Sequence, residues 1–306
     1  MAKKVATRRT PAARTPATHT PATQAPATQA PATQAPATQT PASDTATVAA
    51  NPYAQMETYK FLFVLAVILL AIGWLGLNTG EERRDSAWLA ILILLAAFAV
   101  VTGRAITGNW RGILIDARNK LSLSRLQMIS WTLVVLSAIL TAALANVSSG
   151  WEEPLDIEIP SELWVLIGIS TASLVASPAI LSTKAKREAN ADEVEAMENK
   201  SGATEEINGL LACNRRPEDA RWADLLMGEE VGNYGHVDLG KMQMFLFTFI
   251  LVLSYAAAIA SMFREGDVIT GLPKVEEGMN VLLGISHTGY LANKTVGHTK
   301  EESTDA

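Results

Sequence analysis

The sequence predicts an all-α integral membrane protein: a six-helix bundle with a tandem duplicated two-helix hairpin and a disordered N-terminal tail. Three observations carry this. Of the 306 residues, 49% are hydrophobic and 18% charged, and the mean hydropathy is +0.17 although residues 1–55 are nearly free of large apolar side chains. Six stretches lack Asp, Glu, Lys and Arg: 61–80, 86–103, 126–151, 163–183, 242–263 and 278–293. A bilayer core takes roughly 17–25 mostly apolar residues per helix, which the first five stretches supply. Thirdly, two of the helical segments recur at one fixed offset. The expected organisation is a tail over 1–55, an N-terminal hairpin over 56–104, a first repeat over 122–183, a cytoplasmic linker over 184–237, a second repeat over 238–296 and a short tail over 297–306.

The tail opens with Lys3, Lys4, Arg8, Arg9 and Arg14 and no acid before residue 20, then repeats Ala-Pro-Ala-Thr-Gln. Proline every five residues removes amide donors and forbids a continuous helix, so disorder with polyproline-II character is expected. Two uses fit: a solvated spacer, or a basic hook for anionic lipid or nucleic acid. No aromatic residue is interleaved, so base stacking is unsupported and nucleic acid is not an expected partner. No apolar region follows the early positives, so a secretory signal is not expected, and regular prolines argue against an amphipathic transit peptide.

Charge orients the spans, because Lys and Arg of short loops stay on the cytoplasmic side. Loop 104–125 carries Arg104, Arg111, Arg118, Lys120 and Arg125 against Asp116 alone. Segment 184–241 begins with Lys184, Lys186 and Arg187 and ends with Lys241. Loop 146–162 has no Lys or Arg but five acids, and loop 264–278 has two positives and four acids. The first pair is expected inside and the second outside, which puts both termini in the cytoplasm. A bacterial inner membrane suits this pattern. The sixth span is the weakest, since Asn280, His287 and Asn293 interrupt it. The alternative is a re-entrant segment, and the duplication argues for spanning.

Shifted by 116 residues, LSRLQMISWTLVVL at 123–136 falls on LGKMQMFLFTFILV at 239–252, and VLIGIS at 165–170 on VLLGIS at 281–286. Gln-Met at a helix start and Gly-Ile-Ser in the next helix, at one offset, are hard to obtain from apolar composition alone. Both copies enter from the cytoplasm, so the repeats are parallel. Ser122 and Asp238 are expected N-caps. Arg125 and Lys241 are expected at headgroup level, where long cations snorkel. Gln127 and Gln243 either bond across helices or rest at the wet interface.

The second helix of each copy carries small residues at every fourth position: Gly168, Ala172 and Ala176, then Gly284, Thr288 and Ala292. With Ser170 and Ser286 beside them, these stripes either pack helices closely, within the bundle or between copies of the chain, or line a polar path. His287 is the only intramembrane histidine, and ionisable groups at that depth are often functional. His287, Tyr290 and Asn293 form a candidate polar cluster. Gly284-Ile-Ser-His-Thr-Gly289 departs from the hydrolase elbow, which requires Gly-x-Ser-x-Gly after a strand.

One cysteine, Cys213, and four scattered histidines fit no metal pattern, and no cofactor is expected. In the linker, 185–206 reads as a solvated extension of the fourth span. Residues 217–231 read as a short helix begun by Pro217, with Trp222, Leu225 and Leu226 as a face for membrane or partner. The expected function is a non-enzymatic scaffold or anchor that sits in the lipid bilayer and docks a cytoplasmic protein. A flexible tail of ~55 residues reaching about 40 Å would extend its range. A small channel or transporter with a polar path along the repeat axis is the alternative.

Overall fold

The computed structural model describes residues 52–201, 205–265 and 268–302. The predicted tail therefore lies outside the described residues up to position 51, its cations included, and so does the chain from 303. Seven α-helices and one antiparallel hairpin are present among the described residues. The helices are α1 (Pro52–Asn78), α2 (Arg84–Thr107), α3 (Leu123–Ser148), α4 (Ser161–Lys184), α5 (Ala191–Ser201), α6 (Leu239–Arg264) and α7 (Glu277–Thr295), and the strands are β1 (Glu205–Asn208) and β2 (Leu211–Asn214).

Five of the helices, α1 to α4 and α6, are long and apolar enough to cross a membrane. This is a mostly helical membrane protein. Helix α1 starts inside the span predicted to be disordered, with Pro52 in its first turn, where a missing amide costs nothing. It leaves Phe63, Leu70 and Trp74 exposed, the surface a lipid solvent rewards. Its inner face seats Ile68 and Ile72 against Ile91. Gly76 lets it approach α3, since a Cβ there would collide with Leu144. Helix α2 stops at Gly108, whose φ of 74° closes its amide on the Arg104 carbonyl at 2.8 Å.

The main core lies between α2, α3, α4, α6 and α7, built on Trp131, Leu163, Leu166, Ile259, Phe263 and Leu283. Lipid tails are as apolar as leucine, so packing and hydrogen bonds drive this association. The buried Trp88 indole donates to Ser137 Oγ at 2.9 Å.

The two acid-rich loops meet at one end of the bundle. The Glu158 amide donates to Thr270 O at 2.8 Å and the Leu272 amide to Glu158 O at 3.0 Å. Asn146 holds both backbone groups of Ile269. The basic loop and segment 184–238 meet at the opposite end, where the Asn214 amide donates to Arg118 O at 2.9 Å and the Asn119 and Asn214 side chains each donate to the other's backbone carbonyl.

That second end is a lobe, and it differs from the sequence reading in two places. Helix α4 ends at Lys184, and α5 is a separate helix with Met197 buried against Ala212, Val231 and Tyr234. It is therefore no solvated extension of α4. Residues 217–231 hold two short 3₁₀ turns, Pro217–Asp219 and Trp222–Leu225, in place of one α-helix. The Asp224 carboxylate caps the Arg221 amide locally at 2.8 Å and reaches the Leu121 amide at 3.3 Å, and this second bond ties the turn to the basic loop. Residues 297–302 run along 188–190, with the Asn190 amide on Lys300 O at 2.9 Å.

Candidate functional site

A file of polar side chains runs between α3, α4 and α7 toward the lobe. Each helix supplies one face. Ser173 and Ser177 on α4 are four apart, and His287, Tyr290 and Lys294 on α7 stand at i, i+3 and i+7; Ser124 and Gln127 on α3 are three apart. Such spacing puts each set on one side of its helix, and all seven side chains are buried.

The deepest layer is Gln127, His287 and Ser173. Gln127 Nε2 contacts His287 Nε2, and Ser173 Oγ lies 2.5 Å from His287 Nδ1. With the amide nitrogen on Nε2, the ring is a neutral Nδ1–H tautomer that donates to Ser173; the flipped amide reverses both roles. Gln127 Oε1 has no partner in the first arrangement, and the flip would supply one. One turn down, the Tyr290 hydroxyl lies 3.4 Å from Ser124 Oγ and 3.3 Å from Ser177 Oγ.

The file ends in buried ions. Lys294 Nζ donates to Ser177 Oγ at 2.5 Å and pairs with Glu229 at 2.7 Å. Glu229 also meets Lys241 at 3.2 Å and Arg118 at 3.0 Å, and Arg118 meets Asp116 at 2.7 Å. The adjacent Glu230 pairs with Lys184 at 2.5 Å and accepts the amides of His298 and Thr299. Two consecutive carboxylates thus gather a lysine from each of α4, α6 and α7. Burial pushes the Glu229 carboxyl up, but Lys241, Lys294 and Arg118 override it and hold the group well below its ordinary value. Burial alone would lower Arg118; Glu229 and Asp116 hold it above the usual arginine range. A second cluster joins Glu205 to Lys120 at 3.0 Å and Arg221 at 2.7 Å.

No known family, no characterised protein and no solved structure matches this chain.

The predicted residues are placed as follows. Gly168 and Ala172 are exposed, Thr288 is exposed and bonded to its own helix at Gly284 O, and Gly284 is half-buried beside Ile169. The serine face of α4, about half a turn away, is what turns inward, so the small-residue stripes do not line the polar file. Ser170 is buried and bonded to Leu166 O. Ser286 is buried with no partner for its hydroxyl. His287 and Tyr290 join the file, while Asn293 reaches the Asp238 cap at 3.1 Å instead.

Gln127 is buried across from His287, whereas Gln243 is exposed. Arg125 is half-exposed, but Lys241 is 2% exposed and turned into the lobe, where it also bonds Met227 O at 2.7 Å. It does not snorkel outward, because Glu229 and two carbonyls offer it a fully paired interior. Trp222 is exposed. Leu225 is buried with Leu121, Met244 and Tyr290, and Leu226 packs against the same cluster. Leu225 is turned inward and Leu226 is half-buried, because the 3₁₀ turn aims them at the helix ends.

Sequence reading missed Ser173, Ser177, Lys294, Glu229 and Glu230. The i, i+3, i+7 spacing of polar residues in α7 was the available signal for Lys294. Nothing local marks the Glu229-Glu230 pair, since its partners lie on other helices.

Proposed function

We propose that this protein is a non-enzymatic membrane scaffold that holds a cytoplasmic lobe rigidly on a six-span bundle and offers that lobe to a protein partner. The observation that carries the reading is the double carboxylate. Glu229 and Glu230 clamp Lys184, Lys241 and Lys294, so the lobe is fastened to the ends of α4, α6 and α7.

The sixth span rests on α7. It lies along α4 in the same direction, with Asn280 Nδ2 on Glu162 O at 3.0 Å near both starts and Lys294 on Ser177 near both ends. Its 19 residues extend about 28 Å. Asn280, Ser286, His287 and Lys294 face inward, the exposed Thr288 bonds its own helix, and Val281, Leu282 and Ile285 face out, an arrangement lipid tolerates despite the low hydropathy. The repeat reading draws support from helices α3 and α6, which start 116 residues apart with 26 residues each, and from α4 and α7, which start at the same offset. The N-in, C-in orientation rests on the positive-inside rule, and the basic loop and lobe lie together at one end, as that rule requires.

Photo-crosslinking from the exposed position 223 in intact membranes tests the scaffold. Recovery of a discrete partner is expected from the full chain, with Trp222→Ala and removal of residues 1–51 tested for loss. Equal labelling in all variants, with no discrete adduct, removes the reading. Labelling of single cysteines placed in 146–162, 264–278 and after 296, in a Cys213→Ser background, tests the orientation.

The buried polar file favours one alternative, a proton or ion conduit. Against it, Trp131, Leu166, Leu251 and Leu283 fill the bundle beyond Gln127, and buried ion pairs close the lobe end. Proton flux in liposomes that His287→Ala leaves unchanged eliminates this alternative.

A further inference from the structure

A cavity of about 340 Å³ lies where the start of α3, the end of α4 and the β-hairpin meet. Its walls differ in chemistry. Leu174, Pro178 and Leu181 make the α4 wall mainly apolar, with Ser177 and Ser182 among them, while Ser122, Arg125 and Arg118, the last paired with the Asp116 carboxylate on the same wall, make the other polar with one cation in excess. Arg118 is 8% exposed, and its Nη1 has no acceptor. The Arg125 side chain has no ion-pair or hydrogen-bond partner among the described residues, so a half-buried guanidinium stands on the rim with its donors free.

The charge balance agrees. Arg118, Lys241 and Lys294 share two carboxylates, Glu229 and Asp116, and Arg125 shares none. Cations are in excess beside the cavity. The Ser122 hydroxyl adds a donor on the same side. A guanidinium fork matches a tetrahedral oxyanion with several acceptors. The apolar wall adds a requirement that bare phosphate does not meet: the ligand needs an organic part to cover Leu174 and Pro178.

We infer that this cavity binds a phosphate ester of net negative charge, with the Arg125 guanidinium and Arg118 Nη1 as its donors and the α4 wall against its organic portion. The ester is either the headgroup of an anionic phospholipid at the leaflet on this end or a soluble organophosphate. The inference does not depend on whether the lobe docks a partner.

The test uses the full chain in phosphatidylcholine nanodiscs. Phosphatidylglycerol is titrated into the discs and bound lipid counted by native mass spectrometry; glycerol 3-phosphate is supplied separately in the buffer and measured by equilibrium dialysis. Wild type is expected to prefer one of these esters over phosphatidylcholine by about tenfold, the size of a charged hydrogen-bonded contact. Arg125→Gln should abolish the preference, as should Leu174→Trp, which fills the cavity without touching the charges. Arg215→Gln, an exposed cation elsewhere on the lobe, should leave it intact. Preference for phosphatidylglycerol identifies the lipid source, and preference for glycerol 3-phosphate the soluble one. No preference in wild type, or one that survives either Arg125→Gln or Leu174→Trp, overturns the inference.

Discussion

Helices α3 and α6 begin alike and are used differently. Each opens on a capping side chain, Ser122 or Asp238, that accepts the amide three residues on. Each then presents a cation and, two residues later, a glutamine. In α3 the cation is half-exposed and unpaired while Gln127 is buried; in α6 Lys241 is buried among carboxylate and carbonyls while Gln243 is exposed. The same inversion separates Thr171 from His287, which stand 116 residues apart. Thr171 is exposed and bonded to its own helix, whereas His287 is buried between Gln127 and Ser173. Local sequence decides where a helix starts, through capping and amide satisfaction. Which polar side chain is buried depends on what stands opposite, and α3 has α4 and α7 across from it at that depth.

The largest expected effect tests the buried end of α6. Glu229→Gln removes the carboxylate that three cations share and leaves them facing one another, a loss of about 3–5 kcal/mol for a broken buried pair. For a chain of this size that lowers the melting temperature in detergent by roughly 10 °C. Glu218→Gln, on the lobe surface, should change it by less than about 2 °C. Equal shifts would mean that the cluster does not hold the lobe. Acid offers a second route to the same answer. Because the Glu229 carboxyl is held below its ordinary 4.5, its contribution is whole above about pH 5 and is lost as pH falls through the lowered native value. Wild type and Glu229→Gln should therefore differ most near neutrality and converge in acid.

Next in size is the contrast between His287 and Thr171. His287→Ala deprives both Gln127 and Ser173 of a partner at nearly zero exposure, a cost of about 2 kcal/mol. Thr171→Ala removes only a hydroxyl bonded to Ile167 O on the outer face, and its effect should stay within about 0.5 kcal/mol. Gln127→Leu and Gln243→Leu follow the same logic one step down, at about 1 kcal/mol and near zero. If Gln127→Leu and Gln243→Leu proved equally harmful, the two helix starts would be used symmetrically and a path on a shared axis would regain its case.

Much of the frame was legible in sequence because charge-free runs and caps are local. The five apolar helices lie where the runs put them, and α3 and α6 start at their predicted caps. The polar file was half legible: His287 and Tyr290 stood out against an apolar background, but Ser173 and Ser177 look like ordinary helix serines until α7 is set beside them. The lobe was least legible. Trp222, Leu225 and Leu226 read as an amphipathic helix, whereas the Asp224 carboxylate, besides capping the Arg221 amide locally, reaches the Leu121 amide 103 residues away and holds the segment as 3₁₀ turns against the basic loop. Small-residue stripes misled for a related reason. Gly168 and Ala172 permit close approach without compelling it, and the serine face, which needs partners in lipid, takes the interior.

The smallest expected effect separates the two caps themselves. Ser122 Oγ serves one amide, that of Arg125. Asp238 Oδ1 serves two donors, the Lys241 amide at 3.0 Å and Asn293 Nδ2 at 3.1 Å, and so ties the start of α6 to the end of α7. Ser122→Ala should cost about 1 kcal/mol, the ordinary value of a cap. Asp238→Ala should cost more, because the Asn293 bond is lost with the cap. Asp238→Ser restores a capping oxygen too short to reach Asn293, so it should recover the cap's share and leave a residue of about 0.5–1 kcal/mol, measurable by thermal unfolding in detergent. Asn293→Ala should show that same residue on its own and add nothing to Asp238→Ser. Additive losses in the double variant would mean that the two side chains act separately, and that α6 and α7 are joined at this end by the lysine cluster alone.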